Sequence, residues 1–173
     1  MRYLSIDVGS KNMVFCRVEN TDTRPFFRIT HWLFVDCHGK TVTDIVAKFS
    51  IKVQTLDSSI FECDRVLIES QTARNVKMKV LSHCIQAVFI AKYGFEDIQF
   101  CSAHNKLKLC EEVVPSKSNY RQNKVVAIRK CTELMEDYKC YGEEGDKFYD
   151  LFINCPKKDD LADSLLQALF YIL

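Results

Sequence analysis

The 173-residue sequence contains only five glycines and has no C-x-x-C pair among its nine cysteines. Without such a pair, and with an odd number of cysteines, neither a disulfide framework nor a zinc ribbon is expected. No apolar run approaches the roughly 18 to 20 residues that span a bilayer, and Met1 leads into a strand-like stretch instead of a signal peptide. Repeats, low-complexity tracts and linkers are absent too. These absences predict one intracellular globular domain over residues 1–173, with no membrane partner.

Charge is nearly balanced over the whole chain, at +1, but it is unevenly distributed along it. Residues 71–130 contain 11 Lys and Arg against 4 Asp and Glu, whereas residues 131–163 contain 4 against 10. A basic segment beside an acidic one suits a phosphate backbone held next to a metal site. A charged surface that is merely solvated explains the same pattern.

Hydrophobic periodicity predicts a three-stranded meander followed by alternating helices and strands. The predicted strands cover 2–8, 13–18, 28–35, 65–69 and 97–101. Helical patterns cover 42–60, 75–92 and 120–138, and a last helix starts at 159. Residues 139–158 are expected to form a loop or small insertion. This order predicts an α/β fold with a mixed five-stranded sheet flanked by helices.

Acidic residues end two of the predicted strands. Asp7 closes the first strand and Glu69 closes the fourth, and the helix after the third strand can lay the fourth strand beside the first. Their carboxyl ends would then be neighbours about 4.8 Å apart. An acid that ends an apolar strand needs a partner to offset its desolvation, so the pair predicts a magnesium-sized site.

The last helix offers two further carboxylates. Asp160 and Asp163 are three residues apart and share one helical face, whereas Asp159 is expected to cap the helix. An acidic helix start by itself is commonly no more than a favourable dipole interaction. Four clustered carboxylates would repel one another unless cations neutralised them, and two hard ions sharing a bridging carboxylate would do so. The pattern is typical of metal-assisted phosphodiester hydrolysis.

Three strings of the sequence resemble the RuvC-type Holliday junction resolvases: SIDVGSKN (5–12), VLIESQTARNVK (66–77) and KKDDLADSLLQAL (157–169). The resemblance is strongest to the branch found in large DNA viruses, including poxviruses, and in fungal mitochondria. It implies a ribonuclease H-like fold, a homodimer, and two Mg²⁺ or Mn²⁺ ions per active site. It also implies paired symmetric cuts in four-way DNA junctions, made where DNA replicates in a viral factory, nucleus or mitochondrion.

The resemblance gives catalytic and metal-binding roles to Asp7, Glu69, Asp160 and Asp163. Lys124 best matches a catalytic lysine of the bacterial members, and Lys106 or Lys108 is an ambiguous match to a second. The candidate DNA-binding residues belong to the basic middle segment: Arg74, Lys77, Lys79, Lys108, Lys117 and Arg121. A solvated basic face explains those near Arg74 nearly as well. The extra residues 139–158 depart from the bacterial pattern, so the bacterial sequence preference at the cut is not transferred.

Two other functions are weighed against this interpretation. An ATPase of the actin and sugar-kinase type also opens with a strand ending in D-x-G-S, but it needs a second similar lobe and further phosphate loops. A chain of 173 residues with five glycines has no room for them. The main alternative is a catalytically inactive protein of the same fold that binds branched nucleic acid. Retention of all four acids argues against it.

Overall fold

A computed structural model describes residues 1–110 and 120–173 of the protein. The elements, in chain order, are β1 (Arg2–Asp7), β2 (Met13–Asn20), β3 (Phe27–Val35), α1 (Val42–Lys52), β4 (Arg65–Glu69), α2 (Val76–Tyr93), β5 (Ile98–Cys101), α3 (Tyr120–Tyr138), α4 (Glu143–Asn154) and α5 (Lys158–Leu169). Short 3₁₀ turns occupy Ser58–Phe61, Lys106–Leu109 and Lys139–Tyr141. None of the helices in the described part of the chain is long and apolar enough to cross a membrane.

The strands form one mixed sheet in the order β3-β2-β1-β4-β5. β1, β2 and β3 pair antiparallel as a meander, and β4 runs parallel to both β1 and β5. In this register Ser5 lies opposite Leu67. The predicted mixed five-stranded sheet, with the fourth strand beside the first, is therefore confirmed. It brings Asp7 and Glu69 to the same edge of the sheet.

Different helices cover the two faces of the sheet. On one face, α1 and α2 bury Phe49 and Phe89 against Phe15 of β2. On the other face, α3, α4 and α5 pack on the strands, and Trp32 stacks on Phe152 with ring centroids 5.7 Å apart. Apolar burial on both faces fixes the sheet, so the side chains at the ends of β1 and β4 project from a rigid base.

The helical stripe predicted to continue to Ile60 is interrupted. α1 ends at Lys52, and Val53 is its C-terminal cap. Ile60 is nevertheless fully buried in the same core, which it enters from a 3₁₀ turn. The apolar residues of this stretch, spaced as in one helix, are divided between a helix and a turn. The spacing reflects which residues are buried in the core and does not require one continuous helix.

The loop predicted for residues 139–158 is wrong, because this segment contains α4. Gly145 lies inside the helix, where an added Cβ would lie 2.5 Å from the carbonyl oxygen of Tyr138. Glycine therefore allows a close approach of two backbones here and does not mark a turn. Phe148 and Phe152, four residues apart, bury α4 against the sheet.

Candidate metal centre

Three carboxylates meet where β1, β4 and α5 come together. One oxygen from each of Asp7, Glu69 and Asp163 lies within 4.8 Å of the other two. The parallel pairing of β1 with β4 brings the first two acids to one edge, and α5 brings the third. Carboxylate oxygens are the ligands that hard divalent cations such as Mg²⁺ prefer. The described residues thus contain an acidic triad that fits a metal ion.

The triad lies in an open cleft of about 460 Å³. Asp160 lies three residues before Asp163 on α5. It lines the same cleft but is not part of the compact triad. The polar side chains that complete the lining are Gln71, Thr72, Asn75, His104, Lys106, Asn123 and Lys124. The four predicted ligands therefore share a cleft, with oxygens of three of them within 4.8 Å of one another and Asp160 beside them.

Burial and neighbouring charges raise the pKa values of three carboxyl groups in this cleft. Burial raises the pKa of Asp7 well above its ordinary value, and the negative charges of Glu69 and Asp163 raise it further. Burial also raises the pKa of Asp163, against the opposing effect of the Lys106 charge. The pKa of Asp160 is raised by burial and then by Asp159. A cation bound among these groups would favour their ionised forms.

Lys106 places its ammonium group directly against the triad. Its Nζ lies 2.6 Å from Asp163 Oδ2 and 3.2 Å from Glu69 Oε1, and its side chain is only 11% exposed. Burial alone would lower the pKa of Lys106, but the charges of Asp163, Glu69 and Asp7 outweigh it and raise the pKa. Gln71 donates to Glu69 Oε2 at 2.8 Å. Glu69 is thus held on both oxygens.

The other two candidate lysines occupy different positions. Lys124, on α3, lines the cleft and forms an ion pair with Asp159. Lys108 is exposed, and its Nζ lies 5.2 Å from the centre of the Phe170 ring. Of the two lysines that the sequence leaves ambiguous, Lys106 is the one in contact with the acids.

Asp159 is not the helix cap that its position predicts. Lys157 occupies the N-cap position of α5, without a side-chain cap hydrogen bond. Burial opposes ionisation of Asp159, but the hydrogen bond and charge of Lys124 prevail and lower the pKa of this carboxyl. The pair joins residues 35 positions apart, so local sequence carries no signal for it. It ties the start of α5 to the first part of α3.

The candidate DNA-binding residues lie outside the triad. Arg74 is exposed just before α2, and Lys77 and Lys79 are exposed in its first turn, shortly after the cleft-lining Thr72. Arg121 is exposed on α3, three residues before Lys124. Lys117 lies outside the described residues. Contact with DNA stays a prediction for all of them.

Four polar residues of the cleft were not singled out by the sequence patterns: Gln71, Thr72, His104 and Asn123. Gln71 and Thr72 follow Glu69 within three residues, and Asn123 precedes Lys124. Their position beside predicted site residues is the signal that could have indicated them. His104 lies in the turn after β5, where no periodicity points toward the cleft.

Several solved structures share this architecture. The fowlpox virus resolvase, solved in complex with Holliday junction DNA, gives a TM-score of 0.67 at 18% identity, over 99% of this chain and 97% of that one. The yeast mitochondrial Holliday junction resolvase gives 0.60 at 15% identity, over 98% and 78%. Thermus thermophilus RuvC gives 0.60 at 13% identity, over 99% and 95%. The chain has the RuvC-type resolvase fold. The predicted fold is thereby confirmed.

Sequence comparison gives fewer matches, over a smaller part of the chain. No protein-family model matches the chain. Uncharacterized protein 97L of Invertebrate iridescent virus 3 is 33% identical over 103 residues, which is 59% of this chain. The match spans 44% of that viral protein, so it relates the chain to less than half of its relative.

Proposed function

We propose that the protein is a divalent-metal-dependent endonuclease that resolves four-way DNA junctions and related branched DNA by paired symmetric hydrolysis. The observation that carries this proposal is the triad of Asp7, Glu69 and Asp163 in an open cleft of a RuvC-type resolvase fold. A neighbour with this fold was solved with Holliday junction DNA. Branched DNA arises where DNA replicates and recombines, so we infer that the protein acts at such a site within the cell.

The side chains of the cleft fit divalent ions. Asp7, Glu69 and Asp163 would hold one Mg²⁺ or Mn²⁺, and Asp160 would contribute to a second ion in the same cleft. When bound, such ions would lower the pKa of an attacking water and stabilise charge on the leaving oxygen. The residues themselves orient the ligands: Gln71 and Lys106 fix the Glu69 carboxylate from opposite oxygens.

Two lysines supply positive charge to the cleft. Lys106 is within hydrogen-bonding distance of Glu69 and Asp163, so its ammonium group is placed to hold a phosphate oxygen and to stabilise charge that develops there. Lys124 approaches from α3, where Asp159 orients it. Because Lys106 contacts two acids of the triad, we expect it to contribute more than Lys124, which reverses the order that the sequence match suggests.

A homodimer is supported by an exposed apolar stripe on α2. Val76, Val80 and Ile90 are 64%, 42% and 51% exposed, and they share one helical face with the exposed Ala87 and with His83, the polar residue within the stripe. The opposite face of α2 is buried in the core through Leu81, Ile85 and Phe89. A second copy of the chain would cover the stripe, and a two-fold dimer would present two clefts for paired cuts.

The proposed activity is tested with a labelled four-way junction and a linear duplex of matched sequence, each with and without Mg²⁺. We expect paired, symmetric nicks in the junction only, and only with Mg²⁺. Equal cutting of both substrates would indicate a nuclease without selectivity for branched DNA. Junction binding without cleavage in Mg²⁺ or Mn²⁺ would favour the alternative, a catalytically inactive protein that binds branched nucleic acid.

A further inference from the structure

Gln167 is a buried polar residue with no part in the chemistry described so far. Its side chain is 4% exposed and lies on α5, one helical turn beyond Asp163. Its Nε2 lies 3.0 Å from Ser5 Oγ, 3.2 Å from the Leu67 carbonyl oxygen and 3.4 Å from the Ile6 carbonyl oxygen. Backbone carbonyls only accept hydrogen bonds, so the amide nitrogen of Gln167 must face them.

The acceptors of Gln167 belong to the two strands that carry the acids. Ser5 and Leu67 are opposite one another in the pairing of β1 with β4, and Asp7 and Glu69 each follow two residues later. Two strand residues span about 6.6 Å, and the four residues from Asp163 to Gln167 rise about 6 Å along α5. The contacts of Gln167 therefore lie directly beneath the carboxylate triad, on the same face of the sheet.

We propose that Gln167 is a positioning residue that fixes α5 to β1 and β4 at the height where Asp163 joins Asp7 and Glu69. This inference rests on the proposed metal site. Mg²⁺ demands near-ideal geometry at about 2.0–2.1 Å from its ligands, so a shift of α5 by a few tenths of an ångström would weaken binding. Groups that orient metal ligands typically contribute about 10–100-fold to metal affinity.

The apolar contacts of α5 do not provide this control. Leu161, Leu165 and Leu169 hold the helix on the sheet, but hydrophobic burial is non-directional. A directional bond from Trp32 Nε1 to Ser164 Oγ, at 3.0 Å, joins α5 to β3, which carries none of the acids. The carboxamide of Gln167 bonds instead to acceptors on β1 and β4, the two strands that end in Asp7 and Glu69. Its role is therefore distinguishable from general stabilisation of the fold.

The test uses Gln167→Met, which keeps the length of the side chain and removes the donors. Mn²⁺ binding to the DNA-free protein is measured by electron paramagnetic resonance, and the Mg²⁺ dependence of junction cleavage is measured separately. We expect the Kd for Mn²⁺ and the Mg²⁺ requirement each to rise about tenfold or more, with the single-turnover rate at saturating Mg²⁺ within about threefold of the parent.

Gln99→Met is the matched control, because it removes the 3.1 Å hydrogen bond from Gln99 to the Tyr171 hydroxyl just beyond the end of α5. Its Mn²⁺ affinity should be unchanged. Unchanged affinity in Gln167→Met, or an equal loss in Gln99→Met, would overturn the inference. If Gln167→Met does not fold, Gln167→Asn keeps the carboxamide but shortens the side chain by one methylene, so that its donors are withdrawn from the strands, and the Kd should rise about tenfold; no rise would overturn the inference.

The two readouts separate this inference from the proposed function. A parent protein that binds Mn²⁺ but does not cut junctions would count against the proposed function, and the Mn²⁺ affinities of the variants would still decide the role of Gln167. A parent protein that binds no Mn²⁺ would overturn the positioning role together with the metal site.

Discussion

The two sides of β1 serve different purposes. Leu4 and Ile6 point into the apolar core between the sheet and helices α1 and α2. On the other side, Ser5 receives the hydrogen bond from Gln167, and Asp7 joins the carboxylate triad. One strand thus contributes non-directional burial to one face and directional polar contacts to the other.

This difference shows where stability and the candidate site reside. The α1 and α2 face is held by aromatic packing, with the rings of Phe15, Phe49 and Phe89 between 6.2 and 6.5 Å apart. The α5 face carries carboxylates whose burial and mutual repulsion oppose folding until a cation binds. Substitutions of the buried aromatic residues on the first face should therefore change stability, and substitutions of the carboxylates on the second face should change activity and metal binding.

Asp163→Asn should have the largest effect on activity. It removes one charge of the triad, and we expect cleavage to fall by about 10²–10³-fold, the loss typical of removing one electrostatic stabiliser of a transition state. Junction binding should be intact or tighter, since repulsion toward phosphate is reduced. Single-turnover cleavage and gel-shift titration measure the two effects. Asp150→Asn, on the exposed side of α4, is the control; undiminished cutting by Asp163→Asn would contradict the metal site.

Phe89→Ala should have the largest effect on stability. The ring is fully buried and lies among Phe15, Phe49 and Phe61, so its removal leaves a cavity that costs about 3–5 kcal/mol of unfolding free energy. Denaturant titration measures this change. Ile51→Ala, at a position 65% exposed, should change stability by less than about 0.5 kcal/mol. Cleavage per folded molecule should be unchanged in both variants. A loss of activity per folded molecule in Phe89→Ala would contradict the assignment of stability to one face and activity to the other.

The part of the site that could be predicted follows from strand order. Asp7 and Glu69 end two strands, and a single crossover makes these strands parallel neighbours, so periodicity was sufficient to bring the two acids together. The helical spacing of Asp160 and Asp163 likewise indicated a shared face. Asp163 belongs to the triad, whereas Asp160 lies beside it. This difference depends on how α5 packs on the sheet, which sequence periodicity does not determine.

The lysines and the buried polar contacts could not be predicted in the same way. Lys106 and Lys108 lie two residues apart in a 3₁₀ turn, where no repeating pattern distinguishes the side that faces the acids. The pairing of Lys124 with Asp159 and that of Gln167 with Ser5 join distant parts of the chain. Gln167 did carry one signal, since it lies four residues after Asp163 and therefore on the same helical face as the predicted acids of α5.

The relative importance of the two lysines of the cleft follows from their contacts. Lys106→Met should reduce single-turnover cleavage at saturating Mg²⁺ by about 100-fold, because it removes the charge that contacts Glu69 and Asp163. Lys124→Met should reduce it by about tenfold, since Lys124 faces Asp159 at the side of the cleft. Lys92→Met, at the exposed end of α2, is the control. A larger loss with Lys124→Met than with Lys106→Met would restore the order suggested by the sequence.

Substitutions on the exposed side of α2 should weaken dimer formation and leave the packing of the core unchanged. Val80→Asp places a charge in the middle of the apolar stripe, and we expect the dimer dissociation constant to rise by at least about tenfold, since burying an uncompensated charge is costly. Sedimentation velocity at several concentrations measures this change. Ile51→Asp puts the same charge on the exposed side of α1 and should leave assembly unchanged. A dimer of unaltered affinity in Val80→Asp would exclude the stripe as the contact between copies.

The smallest expected effect is a gain in stability on the face that carries the site. Burial, followed by the charges of Glu69 and Asp163, raises the pKa of Asp7 above its value in the unfolded chain. The folded protein therefore holds this proton more tightly, and stability without metal is lost as the pH rises through the folded pKa. Asp7→Asn removes that loss, and we expect a gain of about 0.5–2 kcal/mol at pH 7 in EDTA.

This gain should shrink as the pH falls, because protonated Asp7 is also uncharged, and denaturant titrations at pH 7 and pH 5 measure it. Asp64→Asn is the control with the opposite sign: Asp64 pairs with Arg2 at 2.9 Å on the exposed surface, so its loss should cost about 0–1 kcal/mol. Lower stability of Asp7→Asn at pH 7 would show that Lys106 compensates the Asp7 charge more than burial and repulsion oppose it. In that case the charges of the site would not oppose folding, and the two faces would differ in polarity but not in their contribution to stability.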